Sequence, residues 1–233
     1  MALSTIGHLT AHAAVHPTRP RTVAAVPVAE LLSRHPDAWR GATRHPFLDA
    51  VRNGTVPVAA FDTWLVQDSC FVSDLLAFQA RLLARAPRPA QAVLAGGLVA
   101  LVDELAWFEE QAAVRGLDLG VAALPATAAY AGLLERLDAA DVGTALTALW
   151  TIERTYLDAW SAALPGAPEY REFVEHWTQP EFAGYVAGLE AAADGVPAPD
   201  ADAVFTEVVA AEVAFWGMAQ DSARSGMAQD SAR

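Results

Sequence analysis

Residues 149–160 read LWTIERTYLDAW, and their period decides the architecture. Wound at 3.6 residues per turn, Leu146, Leu149, Trp150, Tyr156, Leu157 and Trp160 form one apolar stripe. That is the pattern of a helix that buries a face against other helices. Glu153 falls inside the stripe, three residues after Trp150 and three before Tyr156. An interior position meant for a leucine therefore holds a carboxylate.

Helical periodicity extends outward from this segment, and no stretch shows sustained period-two alternation. Short helices are expected within Ser33–Ala50, with Asn53-Gly54 as a stop and Pro57 at the start of the next helix. Longer helices are expected at Val58–Arg85, Ala90–Arg115, Thr127–Leu137, Ala140–Ala163, Glu169–His176, Pro180–Ala193 and Asp200–Ala219. With short connections between them, the chain reads as an all-α, multi-helix bundle in a single domain. Residues 1–40 read as a partly irregular N-terminal extension, 41–222 as the helical domain and 223–233 as a tail. The tail is a duplication: Gly-Met-Ala-Gln-Asp-Ser-Ala-Arg occurs at Gly217–Arg224 and again at Gly226–Arg233, and the second copy is expected to be dispensable.

Composition narrows the function. The chain has 233 residues, 54% of them apolar, which is enough for a substantial core. The longest apolar run, Ala92–Val102, is too short to cross ~30 Å of hydrocarbon, so a soluble protein without a membrane partner is expected. The net charge is −13 and all fifteen basic residues are arginine. With no basic stripe, nucleic acid is a poor partner and a small neutral or cationic ligand a better one. The single cysteine, Cys70, excludes an internal disulfide framework and fits a cytoplasmic location. Acid is missing from residues 1–29, as in transit peptides, but Pro17, Pro20 and Pro27 interrupt any amphipathic helix there.

Glu153 has companions. Asp68 lies four residues after Trp64 and four before Val72, flanked by Leu65 and Phe71. Glu212 interrupts the stripe of Phe205, Val208, Val209, Phe215 and Trp216, and Glu104 lies between Leu101 and Phe108. A buried, unpaired carboxylate costs several kcal/mol or holds its proton. Several such groups on separate helices point to one shared polar cavity suited to acid–base chemistry. No metal is expected: five of the six histidines lie at or before His45, only His176 follows, and no helix carries Glu-x-x-His. Cys70 projects about 200° round the helix from Asp68, with no cation to activate it, and reads as a passive buried thiol.

These residues give the chain its resemblance to the TenA/thiaminase II family, over roughly His45 to Ala219. The resemblance rests on His45-Pro46-Phe47, Asn53-Gly54-Thr55-Val56-Pro57, Leu65-Val66-Gln67-Asp68-Ser69, Pro125 to Tyr130, Trp177–Val186 and Glu212-Val213-Ala214-Phe215-Trp216-Gly217-Met218-Ala219. It implies a haem-oxygenase-like helical fold. In the better-known branch a cysteine attacks the pyrimidine ring of the substrate; the corresponding position here is Glu153, as in the family's glutamate-type branch. Glu104-Leu105-Ala106-Trp107-Phe108 and Trp150-Thr151-Ile152-Glu153 are also typical of that branch. Phe71, Leu157 and Trp177 stand where the cysteine branch tends to have tyrosine, so thiamine cleavage does not transfer directly.

The resemblance implies salvage of the pyrimidine half of degraded thiamine, with no cofactor. The expected reaction hydrolyses 4-amino-5-aminomethyl-2-methylpyrimidine, or its N-formyl derivative, to the hydroxymethyl compound. Glu153, Glu212 and Asp68 are the expected catalytic residues: Asp68 holds the aminopyrimidine edge, Glu212 protonates the leaving amine, and Glu153 activates water or shuttles a proton. Tyr130, Phe71, Glu104, Trp177 and Tyr156 are the expected substrate-binding residues. The implied assembly is a homo-oligomer, a dimer or a tetramer. Alternatives are a pyrimidine-binding or regulatory protein without catalysis, or an oxidase or oxygenase on the same scaffold.

Overall fold

Proline marks where the helices begin. It occupies the first or second position of five helices, where its missing N–H removes no hydrogen bond. The computed structural model describes residues 27–230, and of 222–230 only the helical backbone. The elements are α1 (Glu30–Arg34), α2 (Pro36–Thr43), α3 (Pro46–Asn53), α4 (Val58–Arg85), α5 (Arg88–Arg115), α6 (Pro125–Leu137), α7 (Val142–Ala162), α8 (Arg171–His176), α9 (Pro180–Asp194) and α10 (Ala201–Asp230). The described residues contain no strand, as the periodicity requires.

The centre is α7, buried without interruption from Gly143 to Glu153 and packed against α2, α9 and α10. Two of its interior threonines are satisfied within the helix. Thr151 Oγ1 donates to Thr147 O at 2.8 Å and Thr155 Oγ1 to Thr151 O at 2.7 Å. Asp141 caps its start, Oδ1 accepting from the Thr144 backbone N–H at 2.9 Å. Helix α4 is the second core element, packing against α5, α6 and α10. Between α4, α7, α10 and the end of α8 lies an aromatic cluster: Trp160 is 5.0 Å from Trp64 and 4.9 Å from Trp177, and Trp216 stacks on Phe47 at 5.9 Å.

Three expectations need correction. The helical domain takes in residues assigned to the extension: Leu31 is buried, and the Val28 N–H donates to Asp194 Oδ1 at 2.7 Å. Residues 1–26, with the irregular start expected there, lie outside the described residues. Helix α10 continues past Ala219 to Asp230, because no proline interrupts it and isolated glycines cost a helix only about 1 kcal/mol each. The last residues of the duplicated copy, 231–233, lie outside the described residues. Finally, short apolar runs join in α5 into a helix that is, by length and composition alone, long and apolar enough to cross a bilayer. Only 22% of its most apolar part is buried, so α5 turns an apolar face outward.

One side chain holds the loop that delivers α6. Gln67, buried on α4, accepts from the Leu124 N–H and from Thr127 Oγ1, each at 2.7 Å, and donates to Ala122 O at 3.3 Å. Gln67→Leu leaves the buried Thr127 hydroxyl and the Leu124 N–H without this acceptor. The expected loss is about 1–3 kcal/mol of stability in urea unfolding; an unchanged midpoint would show that the loop is held by other means.

Candidate active site

Four helices each contribute one carboxyl to the interior: Asp68 from α4, Glu104 from α5, Glu153 from α7 and Glu212 from α10. Asp68 and Glu212 have no exposed surface, Glu153 is 7% exposed and Glu104 is half-buried. They face one another. Glu104, Glu212 and Glu153 all act electrostatically on Asp68, and Glu104 and Glu212 act on Glu153. Among the described residues no arginine or histidine forms an ion pair with any of the four.

Three of the four have one oxygen held by an aromatic donor. Tyr130 on α6 donates to Glu212 Oε1 at 2.6 Å, Trp177 Nε1 donates to Glu104 Oε1 at 2.8 Å, and Tyr156 on α7 donates to Asp68 Oδ1. Asp68 Oδ2, Glu153 Oε1 and Glu212 Oε2 are buried with no hydrogen-bond partner among the described residues. Such orphaned acceptors are rare in a folded interior and make the cluster a candidate for ligand binding or proton transfer. Phe71 forms the apolar wall, 4.5 Å from Tyr130 and 5.8 Å from Phe215 between ring centres.

Burial dominates the protonation of the cluster. It pushes Glu212 from 4.5 up to about 8, against the opposing pull of the Tyr130 hydrogen bond, and Glu104 up to about 7, against that of Trp177. Burial first, then repulsion from neighbouring carboxylates, drives Asp68 and Glu153 well above the usual range. Near neutrality the cluster therefore holds protons it can donate and carries little charge.

A cavity of about 540 Å³ between α5 and α9 is lined by one of the four carboxyls, Glu104. Glu104 and Trp177 line it from the inside, joined by His176, Glu181, Phe182 and Tyr185. A cavity of about 620 Å³ at Trp39, Arg44 and Asp158 touches none of the four carboxylates, so size alone does not locate the chemistry.

The structure brings together all eight residues singled out by sequence, with altered detail. Tyr130, Tyr156 and Trp177 spend their donors on carboxylates of the cluster. Cys70 is half-buried, not buried as expected, and burial together with Asp74 and Asp68 pushes its thiol up. No group of three or more potential ligands among the described residues is disposed to hold a metal ion. Sequence reasoning passed over Gln79 and Tyr185. Gln79 is fully buried on α4, four residues after Leu75 and three before Leu82, so the stripe test that found Asp68 applies to it equally.

Helices enclosing an interior carboxylate cluster under an aromatic wall define a helical-bundle protein with a buried acidic site. The profile of the TENA/THI-4/PQQC family matches residues 32–222, and the chain belongs to that family. It is 33% identical over 208 residues to a probable bifunctional TENA-E protein of Glycine max, covering 81% of this chain and 91% of that one. A TenA homologue from Pyrococcus furiosus superposes with a TM-score of 0.79 at 29% identity, over 83% of this chain and 100% of its own. A putative TenA-like thiaminase from Sulfolobus solfataricus shares the fold, with a TM-score of 0.77 at 18% identity over 85% of this chain and 97% of its own.

The carboxyl shifts fix the sign of a pH effect. Glu104 and Glu212 keep their protons in the fold at pH values where the unfolded chain has lost them, so stability falls as pH rises toward about 7 and 8. His176 works the other way, because burial lowers it to about 4, but its effect ends near 6.5. Between pH 6.5 and 8.5 the melting temperature is therefore expected to fall by several degrees, at ~2–4 °C per kcal/mol. The Glu104→Gln/Glu212→Gln variant should show a flatter profile. An equally steep fall in that variant would contradict the buried, protonated cluster.

Proposed function

We propose that this chain is a cytoplasmic aminohydrolase of thiamine salvage. In this reading it converts 4-amino-5-aminomethyl-2-methylpyrimidine, or its N-formyl derivative, to the hydroxymethylpyrimidine. The observation that carries the proposal is the set of buried, unpartnered oxygens on Asp68, Glu153 and Glu212, three carboxyls that act electrostatically on one another. Family membership, the TENA-E relative and the glutamate at position 153 support the same reading.

Asp68, fixed through Oδ1 by Tyr156, presents Oδ2 to the aminopyrimidine edge while Phe71 flanks the ring. The ring held at Asp68 takes up a proton that Glu153 gives through the shared cluster, which leaves the ring positive and Glu153 ionised. Glu153 then takes a proton from water, and the water oxygen bonds to the carbon bearing the amine. The carbon–nitrogen bond breaks with its electron pair passing to nitrogen, and Glu212, protonated at neutral pH, supplies the proton that completes ammonia. The proton on Glu153 passes to Glu212 and the ring's proton returns to Glu153 through the cluster, so the cycle closes without a cofactor. A carboxylate is a weaker nucleophile than a thiolate, which favours activated water over a covalent intermediate at position 153.

Incubation with the aminomethylpyrimidine should release ammonia and hydroxymethylpyrimidine in equal amounts. Glu153→Gln and Glu212→Gln should each lower kcat by ~100- to 10,000-fold while retaining pyrimidine binding. Wild-type turnover no greater than that of Glu153→Gln would overturn the assignment.

The outward face of α5 favours a homo-oligomer. Val99 is 64% and Val102 55% exposed, on a face that includes Ala92, Ala95 and Ala106. Light scattering after size exclusion should give a dimer or tetramer, with a smaller species for Val99→Glu/Val102→Glu; a monomeric wild type would refute the assembly.

A further inference from the structure

We propose that Tyr185, on α9, is a positioning residue that holds the attacking water against Glu153 through its phenol oxygen. The proposal rests on the aminohydrolase reading and extends it to a residue outside the acid cluster.

The phenol is seated by a dedicated arrangement. Tyr185 Oη donates to Gln79 Oε1 at 3.0 Å, and Gln79 Nε2 donates to Leu94 O at 2.8 Å. Because the Gln79 amide is fully buried and its N–H is used by a backbone carbonyl, its orientation is fixed. The Tyr185 proton is thereby committed to Gln79, and the lone pairs of its oxygen remain as acceptors. Gly97 on α5 provides the room. A Cβ at that position would lie 2.3 Å from Gln79 Nε2 and 2.5 Å from Tyr185 Oη, closer than real contacts allow.

Location completes the argument. Tyr185 lines the cavity between α5 and α9 together with Glu104 and Trp177, so it stands where solvent meets the acid cluster. Of the charges acting on its hydroxyl, Glu153 is the strongest and Glu104 the next. A water poised for attack needs one acceptor for the proton it loses and a second to fix its remaining hydrogen, so that a lone pair faces the carbon. Glu153 Oε1 is the unpartnered first acceptor, and Tyr185 Oη is the committed second. Water gives one proton to Glu153, its oxygen bonds to carbon, and its other hydrogen stays on the product hydroxyl, so Tyr185 neither gains nor loses a proton. Phe71 and Trp177 supply no hydroxyl to the pocket, and this one comes from α9 instead.

The test compares wild type, Tyr185→Phe and Gly97→Ala for kcat, KM, binding of hydroxymethylpyrimidine by tryptophan fluorescence, and product partition in water–methanol mixtures. A misplaced water lowers kcat by ~10- to 100-fold in Tyr185→Phe. KM and product binding stay within about twofold, and the ratio of methyl ether to alcohol changes. Gly97→Ala, which keeps the hydroxyl but displaces it, should show the same pattern and provides the test if the phenylalanine variant does not fold. Wild-type kcat and partition in both variants would overturn the proposal. So would a rise in KM with unchanged kcat, which would make Tyr185 a ligand-binding group. A wild type with no turnover would overturn the aminohydrolase reading along with it, whereas an active wild type with unaffected variants overturns this proposal alone.

Discussion

Four carboxyls share one interior without an arginine among the described residues to neutralise them, and much of the structure follows from that constraint. Charged together, they would repel strongly at low dielectric, so the fold keeps most of them protonated. Aromatic donors then fix three of them from one side only. Tyr130, Tyr156 and Trp177 each satisfy one oxygen and leave the cluster without a compensating positive charge. An arginine would have stabilised the fold more simply, but it would also have pinned the carboxylates in their charged form and removed their protons from use.

The surrounding helices are arranged to tolerate this. Helix α7 bonds Thr151 and Thr155 to its own carbonyls, while Glu153, like Thr147 and Trp150, keeps a buried polar atom without a partner among the described residues. Trp64, Trp160 and Trp216 fill one side of the site with rings that donate to none of the carboxyls, and Trp177 donates to Glu104 alone. The acids are therefore held high in pKa by the packing that also makes the core stable. Stability and reactivity draw on the same burial, and a substitution that admits water to the cluster would lower both.

Much of this was legible in the sequence because helical period and burial are tightly linked. Asp68, Glu153 and Glu212 interrupt apolar stripes, and a residue that breaks a stripe must face the interior. Helix starts were equally legible, since proline is tolerated in so few helical positions. The gaps have physical causes too. A tyrosine in an apolar stripe is indistinguishable from ordinary packing, so Tyr185 carried no local sign of its bond to Gln79, 106 residues away. The extent of α10 was hidden because its repeated segment lacks a stop signal stronger than glycine. The outward face of α5 was missed by counting uninterrupted apolar residues, although Asp103 and Glu104 interrupt the run without ending the helix.

In the proposed reaction, a glutamate in the place of a cysteine changes what the rest of the site must provide. A thiolate attacks the substrate itself, so its site needs one activated atom and a good approach. A glutamate that activates water needs that water held in place, a second acid to protonate the departing nitrogen, and a path to return the proton. The cluster meets the last two requirements with Glu212, already protonated near neutrality, and with neighbours close enough to share charge. The first is not met by Asp68 or Glu212, which already spend one oxygen each on tyrosines and, in the proposed reaction, serve the ring and the leaving group. A fixed acceptor at the mouth of the cavity is the missing element, and the notch at Gly97 places a phenol oxygen there.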